Sequence, residues 1–132
     1  MASFHFELVA PDKQMFKGEA ESVLVPGSEG DFLVLKDHAA VMTSLRPGVV
    51  AVDEGGGKTH RFFVRGGFAD VNATGLILLA ETAIPAQDLT GDWISRQIKD
   101  AEEDLADADE AGKLAAQEKL DRLKEIKGSM AL

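Results

Sequence analysis

Phe4, Phe6 and Leu8 alternate with His5, Glu7 and Val9. That near period of two predicts a strand with one buried face. Five more short β-rich runs follow: Ser22–Val25, Phe32–Leu35, Val49–Val52, Arg61–Val64 and Leu76–Ala80. Turn signals punctuate them at Pro11-Asp12, Pro26-Gly27, Pro47-Gly48, Gly55–Gly57, Gly66-Gly67 and Asn72–Gly75. Many short strands with regular turn signals predict an all-β sandwich or barrel. The glycine run Gly55–Gly57 predicts a hairpin tip.

The period changes near Pro85. Beyond it glycine thins out, and Ala, Asp, Glu, Lys and Leu dominate. Ile94, Ile98, Ala101, Leu105 and Ala108 are spaced as a heptad seam on one helix face. Ala116, Leu120, Leu123, Ile126 and Met130 repeat that seam after a stop at Gly112. Two such helices with a short connection predict an antiparallel hairpin. The expected organisation is a β domain over 1–86 and a helical hairpin over 87–132.

Charge separates the two helices. Asp92 to Glu110 carries eight acids and two bases, whereas Lys113 to Lys127 carries five bases and three acids. The pair attracts, but exposed ion pairs contribute only about 0–1 kcal/mol each. Acids in the last turns of the first helix oppose its macrodipole. Both seams are rich in alanine, which buries little area. The hairpin is therefore expected to be of modest stability and to lean on the β body or on another protein.

The whole chain has 132 residues and a net charge of -9. A body of about 85 residues buries a modest core. The acidic balance argues against nucleic acid, whose affinity depends on neutralising phosphates with Lys and Arg. It also disfavours direct binding to an anionic membrane surface. Absence of cysteine excludes disulfides, a thiol nucleophile and thiolate metal sites. The N-terminus MASFHFELVAP has neither a basic region nor a long apolar run, so it does not read as a signal peptide. The apolar run Leu76–Ala80 is far too short to span a bilayer, so membrane association is expected only through a partner.

Catalytic chemistry finds little support. Ser28 and Ser44 lack the surroundings of a nucleophile elbow, and His38 beside Asp37 reads as a loop histidine. His5, His38 and His60 lack helical metal-ligand spacing. Gly55-Gly56-Gly57-Lys58-Thr59 lacks the first glycine of a phosphate-binding loop. Glu102-Glu103-Asp104 reads as a solvated helix face. No catalytic residue, cofactor or metal is expected. The loop Gly27-Ser28-Glu29-Gly30-Asp31 is different: its glycines permit a tight turn, and Glu29 and Asp31 project as acceptors. It reads either as a plain hairpin turn or as an acidic docking finger.

Several separated motifs decide between these readings. They are Pro11 with Met15-Phe16-Lys17-Gly18, Pro26 to Asp31, Asp37-His38-Ala39, Leu45-Arg46-Pro47-Gly48, Val64 to Phe68 and Leu79-Ala80-Glu81. In order and spacing they resemble the epsilon subunit family of F-type ATP synthases. The likeness is strong to about Pro85 and architectural beyond it. It implies a β-sandwich followed by a helical hairpin, in a non-catalytic rotor subunit of the central stalk. The implied task is to couple rotation of the c-subunit ring, through the gamma subunit, to ATP synthesis by the alpha–beta hexamer.

The same likeness assigns Glu29, Gly30, Asp31 and His38 to the c ring, and Ala10 and Thr43 to gamma. It places the chain peripherally on the cytoplasmic face of a bacterial inner membrane, or at the equivalent organellar position. Lys119, Arg122, Lys124 and Lys127 are candidates for contact with the alpha and beta subunits, which implies at most a weak inhibitory arm. Some members bind ATP at a first-helix motif. The segment Ile98-Lys99-Asp100-Ala101-Glu102-Glu103 lacks its arginine, so ATP binding is not expected. The alternative is a nucleotide-responsive regulatory module.

Overall fold

The computed structural model describes residues 2–129. Met130 of the expected second seam lies outside them. The chain divides into two compact units, Met1–Ala86 and Gln87–Leu132.

The first unit holds eight strands: β1 (Phe4–Ala10), β2 (Lys13–Ala20), β3 (Ser22–Gly27), β4 (Gly30–Val34), β5 (Val41–Ser44), β6 (Gly48–Gly55), β7 (Lys58–Asn72) and β8 (Gly75–Pro85). The sheet order is β2-β1-β8-β7-β6-β3-β4, with β5 also pairing with β7. The β1–β8 pair is parallel, Phe6 opposite Leu76. All other pairs are antiparallel.

The 15-residue β7 does two jobs. Its first half pairs with β6, from Gly55 opposite Lys58 to Gly48 opposite Val64. Its second half pairs with β5, from Ser44 opposite Phe68 to Val41 opposite Val71. Between the halves, Gly66 and Gly67 have φ of 71° and 115°. β8 pairs with β7 from Phe62 opposite Pro85 to Asn72 opposite Gly75. The β7–β8 ribbon thus belongs to both layers of a sandwich, β2-β1-β8-β7-β5 and β8-β7-β6-β3-β4.

Alternation sets the inner faces. Phe4, Phe6 and Leu8 of β1 are buried, while His5, Glu7 and Val9 are half-buried on the other side. Phe6 and Leu8 join Val25, Val52, Val64 and Leu78 in one core cluster. Burying each such side chain contributes about 1.5–3 kcal/mol.

Two strands were not foreseen. β2 reads KQMFKGEA and lies at a sheet edge, so polar residues occupy positions that a central strand would fill with apolar ones. β5 has four residues and none is buried. Pro26-Gly27 and Gly66-Gly67, read as turn signals, both lie inside strands, β3 and β7. Pro26 is tolerated because β6 pairs with β3 only at Ser22–Leu24, so no β6 carbonyl calls for the N–H that proline lacks.

The second unit opens with a short 3-10 turn at Ala86–Asp88 and continues as α1 (Gly91–Asp107) and α2 (Lys113–Ser129). The Thr90 hydroxyl caps α1 by accepting from the Trp93 N–H at 3.1 Å. α1 ends five residues earlier than Gly112. That glycine instead leads into α2, where its N–H donates to the Asp109 carboxylate at 2.8 Å. The helices pack on each other. Ile94 and Ala101 of α1, and Leu120, Leu123 and Ile126 of α2, are buried seam positions.

A methyl group at position 67 would meet the Leu79 carbonyl oxygen at 1.9 Å in a backbone conformation that L residues avoid. Gly67→Ala is expected to destabilise the sandwich by more than about 1 kcal/mol. Urea unfolding of the full chain measures this.

Candidate docking site

Strands β3 and β4 meet in a two-residue turn. Gly27 lies opposite Gly30, and Ser28 and Glu29 form the tip. The sequence permits this because Gly30 takes φ of 133° and Gly27 lies against the Phe32 ring, where a Cβ would approach to 2.9 Å. Ser28 and Glu29 are exposed.

The turn is tied to the segment 43–46. The Ser28 N–H donates to the Ser44 carbonyl at 2.9 Å, and the Arg46 N–H to the Pro26 carbonyl at 3.0 Å. Gly27 and Leu45 form an isolated antiparallel bridge. The Ser28 and Thr43 hydroxyls lie 3.3 Å apart. Arg46 donates from its guanidinium to the Asp31 carboxylate at 3.0 Å. The Arg46 Nε–H is buried and finds no acceptor among the described residues.

Beside the tip lies an open depression of about 300 Å³. Glu29, Gly30, His38 and Thr43 border it, and Phe32 and Val41 give it an apolar floor. His38 follows Asp37, whose φ of 66° turns the loop sharply. The His38 ring stands 6.0 Å from that of Phe32. Its Nδ1 lies 2.7 Å from the Ala39 carbonyl, so the Nδ1–H tautomer fits and leaves Nε2 for another contact.

The fold thus gathers four of the six residues assigned by likeness around one depression. Asp31 stands in β4, next to it, with its carboxylate engaged by Arg46 rather than offered at the tip. Ala10 stands apart at the end of β1, in the hairpin to β2. β8 and β7 separate β1 from β5 and its Thr43.

Between Ala10 and Thr43 the outer face carries a cross-strand row: Val9, Leu79, Phe68 and Ser44. Phe68 is 57% exposed and Leu79 54%. Met42, one step along β5, is 71% exposed. Sequence reasoning missed this apolar face. Its signal was faint, because Phe68 sits next to a glycine pair read as a turn.

On α2, Lys124 is exposed while Lys119, Arg122 and Lys127 are half-buried. Arg122 pairs with Glu125 at 2.8 Å. Lys127 donates to the Ser95 hydroxyl of α1 at 3.0 Å. On α1, Asp92, Ser95, Arg96 and Lys99 edge a shallow, open surface. No group of three or more His, Asp or Glu that could hold a metal occurs among the described residues. No helix there is long and apolar enough to cross a membrane.

These features define a β-sandwich carrying a helical hairpin, with its candidate residues on a turn, a loop and strand ends. The family described as ATP synthase, Delta/Epsilon chain, beta-sandwich domain matches residues 3–86. Over 124 residues the chain is 45% identical to the ATP synthase epsilon chain of Parvibaculum lavamentivorans, covering 93% of this chain and 94% of that one. It is 40% identical over 129 residues to that of Mesorhizobium japonicum, covering 97% and 96%. The chain belongs to the ATP synthase epsilon chain family. Its fold is also that of a chain in the Euglena gracilis mitochondrial ATP synthase, with a TM-score of 0.78, 23% identity and coverage of 98% of this chain and 82% of the other.

The Asp31–Arg46 pair is partly exposed, with side-chain exposures of 45% and 32%. Arg46→Gln is therefore expected to change unfolding stability by no more than about 1 kcal/mol. A thermal melt beside the wild-type chain tests it.

Proposed function

We propose that this chain is a non-catalytic rotor subunit of the central stalk of a proton-translocating F-type ATP synthase. It transmits c-ring rotation through gamma to ATP synthesis. One observation carries the reading. A chain similar to bacterial epsilon chains over nearly its whole length places Glu29, Gly30, His38 and Thr43 around a single surface depression.

The tip of the β3–β4 turn, Glu29 and Gly30, and His38 face the polar loops of the c ring, with Asp31 one rung behind them in β4. Ala10, Thr43 and the exposed row containing Phe68 and Leu79 face gamma. A polar turn suits a contact that is partly wet, and an apolar face suits a lasting one. The chain is peripheral, on the cytoplasmic face of the bacterial inner membrane.

Contact of the hairpin with alpha and beta subunits is weak. Arg122 and Lys127 already engage partners within the hairpin, which leaves half of the basic set, Lys119 and Lys124, for an acidic surface. Inhibition of ATP hydrolysis by this arm is correspondingly small.

Co-purification with gamma, then hydrolysis by the assembled catalytic sector, tests the proposal. A complex with gamma is expected, with hydrolysis little changed when the chain ends at Ala86. Absence of the complex would sink the stalk reading. Saturable ATP binding at millimolar ligand would favour the nucleotide-responsive module. Replacing Phe68 or Leu79 by Ser is expected to weaken gamma binding about fivefold or more, with little loss of stability. Isothermal titration with purified gamma measures that change.

A further inference from the structure

Two acids flank Gly30, and the structure treats them differently. Glu29 is exposed at the tip of the turn. Asp31 lies one pair down the hairpin, opposite Pro26. The Arg46 guanidinium holds its carboxylate at 3.0 Å, and the Arg46 backbone N–H holds the Pro26 carbonyl at the same distance. One residue therefore grips both strands of the hairpin at the same rung. The grip has a cost, because the Arg46 Nε–H is buried without an acceptor among the described residues. Such a contact gains little in stability, being partly exposed. What it fixes is geometry.

We propose that Arg46 is a positioning residue for docking on the c ring: by clasping Asp31 it aims the β3–β4 turn and leaves Glu29 as the carboxylate offered to the partner. The inference rests on the docking reading above and divides the labour between the two acids. Asp31 acts inside the chain. Glu29 acts across the interface, beside the depression floored by Phe32 and Val41. The partner group that fits is a short polar loop. It brings a cation or an amide N–H to Glu29 and a small apolar side chain to the depression.

The test uses the full chain assembled with gamma in the catalytic sector, titrated onto membranes stripped of that sector and containing the c ring. Glu29→Gln is expected to weaken binding about two- to fivefold, the range of a partly exposed charged contact. Arg46→Gln and Asp31→Asn are each expected to weaken it by a similar factor. The double variant should be no weaker than either alone, because both remove one clasp. Arg46→Lys, whose ammonium also reaches a carboxylate, should restore most of the affinity.

Melting temperature and gamma binding, measured on every variant, separate misfolding from mispositioning. Additive losses in the double variant would overturn the inference, as would tighter or unchanged binding by Arg46→Gln. An Arg46→Lys variant as weak as Arg46→Gln would overturn it too. Unchanged binding by Glu29→Gln and by all the others would instead remove the docking reading itself.

Discussion

The sandwich depends on the passage of one ribbon, β7–β8, through both of its layers. β7 can serve β6 with one half and β5 with the other only if its backbone turns between them, and Gly66 and Gly67 supply that turn at positive φ. The close approach of Gly67 to the Leu79 carbonyl leaves no space for a side chain. The placement of the β3–β4 turn follows from this. β5 is only four residues long and has no buried residue, so it holds its place by its ladder to the second half of β7. The segment that leaves β5, residues 43–46, is what ties down the β3–β4 turn. A bend in one long strand thereby fixes a turn far away in sequence.

This arrangement joins the two proposed contacts mechanically. Thr43 borders the depression beside the turn and belongs to the layer that also carries Ala10, Phe68 and Leu79. Hydrogen bonds from Ser28 and Arg46 run directly between the turn and that segment. A lateral load on the turn is therefore passed to β5 and on to the β7–β8 ribbon through backbone hydrogen bonds. Side-chain contacts alone would yield more readily, since exposed pairs are worth about 1 kcal/mol or less.

Much of this was legible in the residues, and the exceptions have physical causes. The alternation of Phe4, Phe6 and Leu8 gave away β1, and Gly55–Gly57 gave away the β6–β7 tip, where all three glycines have positive φ. The helical seams were readable because Ile94, Ala101, Leu120, Leu123 and Ile126 recur at helical spacing, and all are buried. β2 and β5 were invisible because an edge strand need not bury alternate residues. Gly66-Gly67 was misread because a glycine pair signals a turn and a strand bend equally well. At the candidate site, the tight turn at Gly27–Gly30 was legible from its glycines. The Asp31–Arg46 clasp was not, because a pair fifteen residues apart is joined only by the return of β5.

The contrast between the two units bears on how each can work. The sandwich packs six or more large aliphatic and aromatic side chains into a single cluster with almost no exposure. The hairpin seam includes alanines, leaves Ile98 and Leu105 half-buried, and segregates the apolar residues of α2 only weakly to one face. Leu114 is 71% exposed. Acids crowd the C-terminal part of α1, where the helix dipole is least tolerant of them. Local opening is easiest where buried apolar contacts are fewest. The sandwich is therefore the unit suited to the rigid coupling proposed above. The hairpin is the part whose conformation a partner can change at small energetic cost, and its basic residues, partly engaged within it, would have to be released first.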